Sequence, residues 1–127
     1  MAYGLQDTEL NHLGSALKTR WTGAYFALFT AEPDSSGSNE YSGGGYARIA
    51  VPGWGTVSSG GDFAPTGLPV EFSGVAGASI AGVGLFSAST GGTFYGADFA
   101  TGDLVFNSLG KLLLTACPVD LQKILRT

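Results

Sequence analysis

The chain has 127 residues, enough for one domain with a modest core, and only 13% of them are charged. Glycine supplies 21 residues, a composition that excludes a charged disordered tail and describes a strand-and-turn protein with large uncharged surfaces. The formal charge of -4, with six scattered lysines and arginines, excludes a phosphate-tracking basic face and so a nucleic-acid partner.

The first predicted element is a helix from Asp7 to Arg20, with Asp7 or Thr8 as its cap. Leu10, Leu13, Leu17 and Trp21 recur at helical spacing and form one apolar face for packing on a sheet. Lys18 and Arg20 fall in the last turn, where positive charge suits the negative end of the helix dipole. His12 has no companions at helical spacing and reads as a surface residue, not a metal ligand. No basic-apolar-small leader opens the sequence, and no apolar run nears the roughly 18 residues a membrane span needs, so the expectation is a chain made in the cytoplasm without membrane insertion.

Tyr25, Phe26, Ala27, Leu28 and Phe29 are apolar on both alternating faces, which predicts a strand covered on each side. The chain breaks at Pro33, and a polar loop carrying Asp34, Ser35, Ser36, Ser38, Asn39 and Glu40 follows. Ser42, Gly43, Gly44 and Gly45 then turn it into a second strand, Tyr46 to Val51, with Tyr46, Arg48 and Ala50 on one face. The loop has oxygens for calcium but lacks the alternating acidic order and closing glutamate of a calcium loop. SGGGYAR is not a phosphate loop: it lacks the lysine and hydroxyl residue after the glycines and leads into a strand instead of a helix. Arg48 interrupts an apolar strand and admits two readings. Either its stem packs over Tyr46 while its head pairs with a loop acid such as Glu40, or it contacts another subunit.

From Pro52 to Gly67 glycine and proline recur so often that only short extended pieces can persist. Trp54, between two glycines, and Phe63 either fold back as lids on the core edge or present aromatic contacts to a sugar or a neighbouring subunit. Extended segments follow at Leu68 to Phe72, Ala78 to Ser87, Thr93 to Phe99, and finally Leu104 to Phe106 with Lys111 to Cys117. Ser89 to Gly92 is a hairpin signal between two of them. Gly82 and Gly84 leave one face of their strand without side chains, for the helix or for a neighbouring chain. Cys117, the single cysteine, reads as a small buried hydrophobe. The terminal piece, residues 118–127, offers Val119, Leu121, Ile124 and Leu125, either folded back onto its own domain or laid as an arm on a neighbour.

The order ALFTxxP, a polar acidic loop, SGGGYAR and a short apolar strand resembles small phage proteins usually called tail fibre proteins. The preceding helix, GLFSASTGG from Gly84 to Gly92, and TGDLVF from Thr101 to Phe106 extend the resemblance over most of the chain. It implies a structural virion protein, most directly of the tail fibre or tail tip. A capsid decoration protein, and a carbohydrate-binding module using Trp54, Phe63 or Tyr41, remain open alternatives. The expected fold is mainly β, an antiparallel, jelly-roll-like β-sandwich with one N-terminal helix in a single domain, 1–127. No catalytic constellation, cofactor site or metal site is expected. The expected partners are other copies of the chain and other virion proteins, with a host surface glycan as a further candidate. The candidate contact residues are Arg48, Trp54, Phe63, Val119, Leu121, Ile124 and Leu125.

Overall fold

The computed structural model describes residues 6–58 and 60–119. It is a mainly β, sandwich-like antiparallel fold with one N-terminal helix. Its residues gather into two compact units. One contains the described parts of Met1–Thr22, Pro52–Leu68 and Ala116–Thr127, and the other comprises Gly23–Val51 and Pro69–Thr115.

The first unit is built on α1, Asp7–Arg20, the span the leucine spacing predicts. Its start differs from expectation: Gln6 occupies the N-cap and no side chain caps the helix, so Asp7 and Glu9 serve the first turn by charge alone. The buried face runs through Leu10 and Gly14, with Leu17 and Trp21 half-buried, while Leu13 is 43% exposed. Spacing alone places Leu13 on the inner stripe. Gly14 instead brings the helix against the Gly61 backbone, and Asn11 Oδ1 accepts a hydrogen bond from the Gly61 N–H at 2.9 Å, which centres the contact on the Leu10–Gly14 side. His12 is exposed. Two short strands, β3 (Gly53–Trp54) and β4 (Pro65–Thr66), pair antiparallel and bracket the glycine-rich loop.

The second unit holds a four-stranded antiparallel sheet in the order β2-β1-β6-β7 and a two-stranded pair, β5-β8. β1 is Tyr25–Phe29, and being interior to its sheet it buries Phe26, Ala27, Leu28 and Phe29 completely. β2 is only Ile49–Ala50, paired with Phe26 and Tyr25. The longer strand expected from Tyr46 does not form; beyond β2 this part of the chain meets β1 through an isolated Phe29–Glu40 bridge, the Tyr41 N–H to Leu28 carbonyl bond and the Tyr46 side chain. β5 is Val70–Ser73, β6 Ser79–Phe86, and β8 Lys111–Leu114.

β7 runs without interruption over Phe94–Val105, where the sequence suggests two separate pieces. Register shifts at Ile80/Gly82 and Leu85/Phe86, with the extra residues on β7, absorb the irregularity, so β6 pairs with β7 near both of its ends. The hairpin signal at Ser89–Gly92 joins β6 to β7 as expected. The empty space over Gly84 belongs neither to the helix nor to another chain: a Cβ there would lie 2.6 Å from Phe29 Cε2, so the ring of the adjacent strand fills it. Phe29, Phe86 and Ala27 form a buried cluster on this face, with Phe94 and Ala97 packed against it.

Candidate functional site

The β2 ladder ends after two residue pairs, so farther along β1 the backbone of Leu28 needs other partners. The segment that follows the polar loop provides them. Tyr41 N–H donates to the Leu28 carbonyl at 2.8 Å, and the Tyr46 hydroxyl accepts the Leu28 N–H at 3.0 Å. The SGGG turn makes this return possible. Gly44 has φ +61, and a side chain there would collide with the Gly74 and Val75 backbone, so only glycine meets both demands.

Having accepted one hydrogen bond, the Tyr46 hydroxyl donates its own proton to Glu40 Oε2 at 2.7 Å. Arg48 grips the same carboxylate in bidentate fashion, Nε to Oε2 at 2.9 Å and Nη2 to Oε1 at 2.8 Å. Its remaining nitrogen, Nη1, donates to the Ala88 carbonyl at 2.9 Å and the Gly91 carbonyl at 2.8 Å. The guanidinium lies 3.6 Å over the centre of the Phe86 ring. One arginine thus ties the loop acid, the SGGGYAR segment and the β6–β7 hairpin together. Its side chain is 9% exposed and that of Glu40 is 23% exposed.

The charges follow from this packing. Burial pushes the Glu40 carboxyl up, but the Arg48 and Tyr46 hydrogen bonds and the arginine charge outweigh it and hold the group below its ordinary value. Burial, reinforced by the adjacent carboxylate, raises the Tyr46 phenol well above its ordinary value. In the loop, Asp34 Oδ1 accepts from Ser36 Oγ at 2.6 Å and Ser36 N–H at 2.9 Å, and these bonds lower the aspartate. Asp34 Oδ1 is thus engaged in the loop, and both Glu40 oxygens are engaged in the clamp. Among the described residues no group of three or more His, Cys, Asp or Glu side chains could hold a metal ion.

In the other unit, Trp54 Nε1 donates to the Trp21 carbonyl at 3.0 Å, and the Trp21, Trp54 and Phe63 rings meet with centroids 5.3 to 5.8 Å apart. A sugar platform needs open ring faces. Phe63 and Tyr41 are buried, at 4% and 7% exposure, whereas Trp54 is half-buried. Val119 pairs antiparallel with Phe63, its N–H donating to the Phe63 carbonyl at 2.8 Å, so the chain just after Pro118 lies back on its own unit. Leu121, Ile124 and Leu125 lie outside the described residues. Cys117 is half-buried instead of buried.

An open groove beside the helix end is lined by Ser15, Lys18, Thr19, Thr22, Thr56 and Val57. Thr19 and Thr22 donate their hydroxyl protons to the Ser15 and Lys18 carbonyls. Sequence reasoning passed over Val75 and Leu109, which are 53% and 81% exposed on short turns. The available signal was an apolar residue set inside a turn sequence, GVAG and NSLG, where polar residues are usual. No helix among the described residues is long and apolar enough to cross a membrane.

The sequence model of a family described as Podophage GP4 fiber I protein gp80 matches residues 2–115. No curated protein and no solved structure matches the chain.

Proposed function

The chain belongs to the podophage GP4 fiber I protein gp80 family, a family of phage fibre proteins, and on that premise we propose that it is a non-enzymatic part of the tail fibre or tail tip, acting through contacts with other copies and other virion proteins. The observation that carries this reading is the match over nearly the whole chain, which spans both the clamp and the sheet it braces. The clamp supports it further. Arg48, Glu40 and Tyr46 are the most elaborately bonded polar side chains described, and all their bonds hold the scaffold. A scaffold of this kind carries load without turning over a substrate.

Immunogold labelling of purified particles with an antibody against this chain tests the location. Gold along the tail or at its tip is the expected result. Gold distributed over the head would overturn the tail assignment and favour capsid decoration. Purified protein applied to a glycan array separates the remaining alternative: binding there, abolished in Trp54→Ala while the fold persists, would make the chain a host-recognition module.

A further inference from the structure

The polar loop, residues 31–39, lies against a cluster of aromatic rings in the sheet unit. Phe29 and Phe86 are buried with ring centroids 6.0 Å apart, and the half-buried Phe94 meets them at 5.6 and 5.3 Å. Gly37, at φ +80, closes the loop onto these rings: a Cβ there would lie 2.6 Å from Phe86 Cζ and 3.0 Å from Phe94 Cγ. The loop is braced internally. Asp34 Oδ1 holds Ser36, the Asp34 N–H donates to Ser38 Oγ at 3.1 Å, and the Gly37 N–H donates to the Asp34 carbonyl at 3.1 Å. Its two ends meet at a neck, where the Thr30 N–H donates to the Asn39 carbonyl at 3.0 Å and Asn39 Nδ2 donates to the Glu32 carbonyl at 3.1 Å. A compact loop with joined ends can move as one piece. None of residues 31–39 is buried, so few apolar contacts oppose such a movement.

Glu40 stands directly after this neck, bridged to Phe29. Arg48 holds its carboxylate and, through Nη1, the Ala88 and Gly91 carbonyls of the hairpin between the strands that carry Phe86 and Phe94. The ion pair therefore fastens the foot of the loop to the element that bears the rings. A protonated Glu40 gives up the charge on which both carboxylate bonds depend. The other ionisable groups in this part of the unit are Glu32 and Asp34 in the loop, Tyr25 on β1, Tyr41 and Tyr46 in the returning segment, and Tyr95 and Asp98 on β7; residues 79–93 carry none. Of these acids only Glu40 is bonded to Arg48, whereas the Asp34 bonds stay inside the loop.

We propose that residues 31–39 form a lid over the Phe29, Phe86 and Phe94 rings, latched by the Glu40–Arg48 pair, and that acid opens this lid while the four-stranded sheet stays paired. The device is a property of the isolated chain and is independent of where the chain sits in a particle. Gly37 reports on it, because protons held against aromatic rings have their NMR signals displaced by the ring currents. The test follows the Gly37 signals and the amide signals of Ala27 and Leu85, on β1 and β6, as pH is lowered in the full-length wild type, Glu40→Gln and Asp34→Asn. In the wild type the Gly37 displacement is expected to shrink in acid before the Ala27 and Leu85 signals change. Glu40→Gln is expected to have an open fraction about tenfold higher at neutral pH, since a hydrogen bond to a charged group is worth more than a neutral one, and to lack the acid transition. Asp34→Asn, which keeps an oxygen at the same place, is expected to retain it. The wild-type titration alone can overturn the proposal: a Gly37 displacement that persists until the sheet signals collapse with it means that no lid opens. An acid transition that survives in Glu40→Gln, or disappears in Asp34→Asn, would equally overturn the assignment of the latch.

Discussion

Arg48 decides whether the polar loop, the SGGGYAR segment and the β6–β7 hairpin act as one piece. Replacing it by alanine removes four hydrogen bonds and leaves the partly buried Glu40 carboxylate without its cation. Because Glu40 keeps some exposure, we predict a loss of about 2–3 kcal/mol by chemical denaturation, below the ~3–5 kcal/mol for breaking a fully buried pair. Arg48→Lys is expected to recover only part of it, since an ammonium cannot grip both carboxylate oxygens and both carbonyls in one plane. An Arg48→Ala chain as stable as the wild type would show that the clamp is not structural. The pH dependence follows from the same atoms. The folded Glu40 carboxyl lies below its ordinary 4.5, so its stabilisation is complete above that pH and disappears as pH falls through the folded value. Glu40→Gln should therefore be less stable than wild type near neutrality, with the gap closing in acid; a gap constant with pH would contradict this. Tyr46 has the opposite sign: its contribution is complete below its ordinary 10.0 and is lost only as alkali takes the pH through its raised folded value.

Among the elements, α1 and β1 were the most legible in the sequence, because leucines at helical spacing and an uninterrupted apolar pentad are local signals. Leu13 was misplaced because the register of the helix is set by Gly14 meeting Gly61, a contact that periodicity does not encode. Leu10→Ala should accordingly cost about 2–5 kcal/mol, as deletions of buried leucines do. Leu13→Ala should stay within about 0.5 kcal/mol. Thermal melts of the two variants check this pair, and comparable losses would mean that both leucines are buried. The continuity of β7 was hidden because Gly102, between the two expected pieces, resembles a break, whereas the register shifts place their extra residues on β7 and let it pair with β6 on either side. In the clamp, the Glu40–Arg48 pairing was anticipated from the sequence, but the two carbonyl contacts at Ala88 and Gly91 were not, since they join residues about forty positions apart. The exposed turn residues were missed for a different reason: exposure of a leucine inside a turn is a tertiary fact.

For the whole molecule, membership of a family of phage fibre proteins is consistent with a structural role in the tail fibre. The family match covers residues 2–115 and does not extend over 116–127. Of that stretch, Val119 pairs with Phe63, so deleting 120–127 should leave this antiparallel bridge in place, as amide protection at Phe63 and Val119 would report. The central claim is that the chain is built into the tail. A reconstruction of the intact particle tests it most directly: the account predicts density for this fold in the tail fibre or tail tip, and density for it clamped at capsid symmetry axes would contradict it.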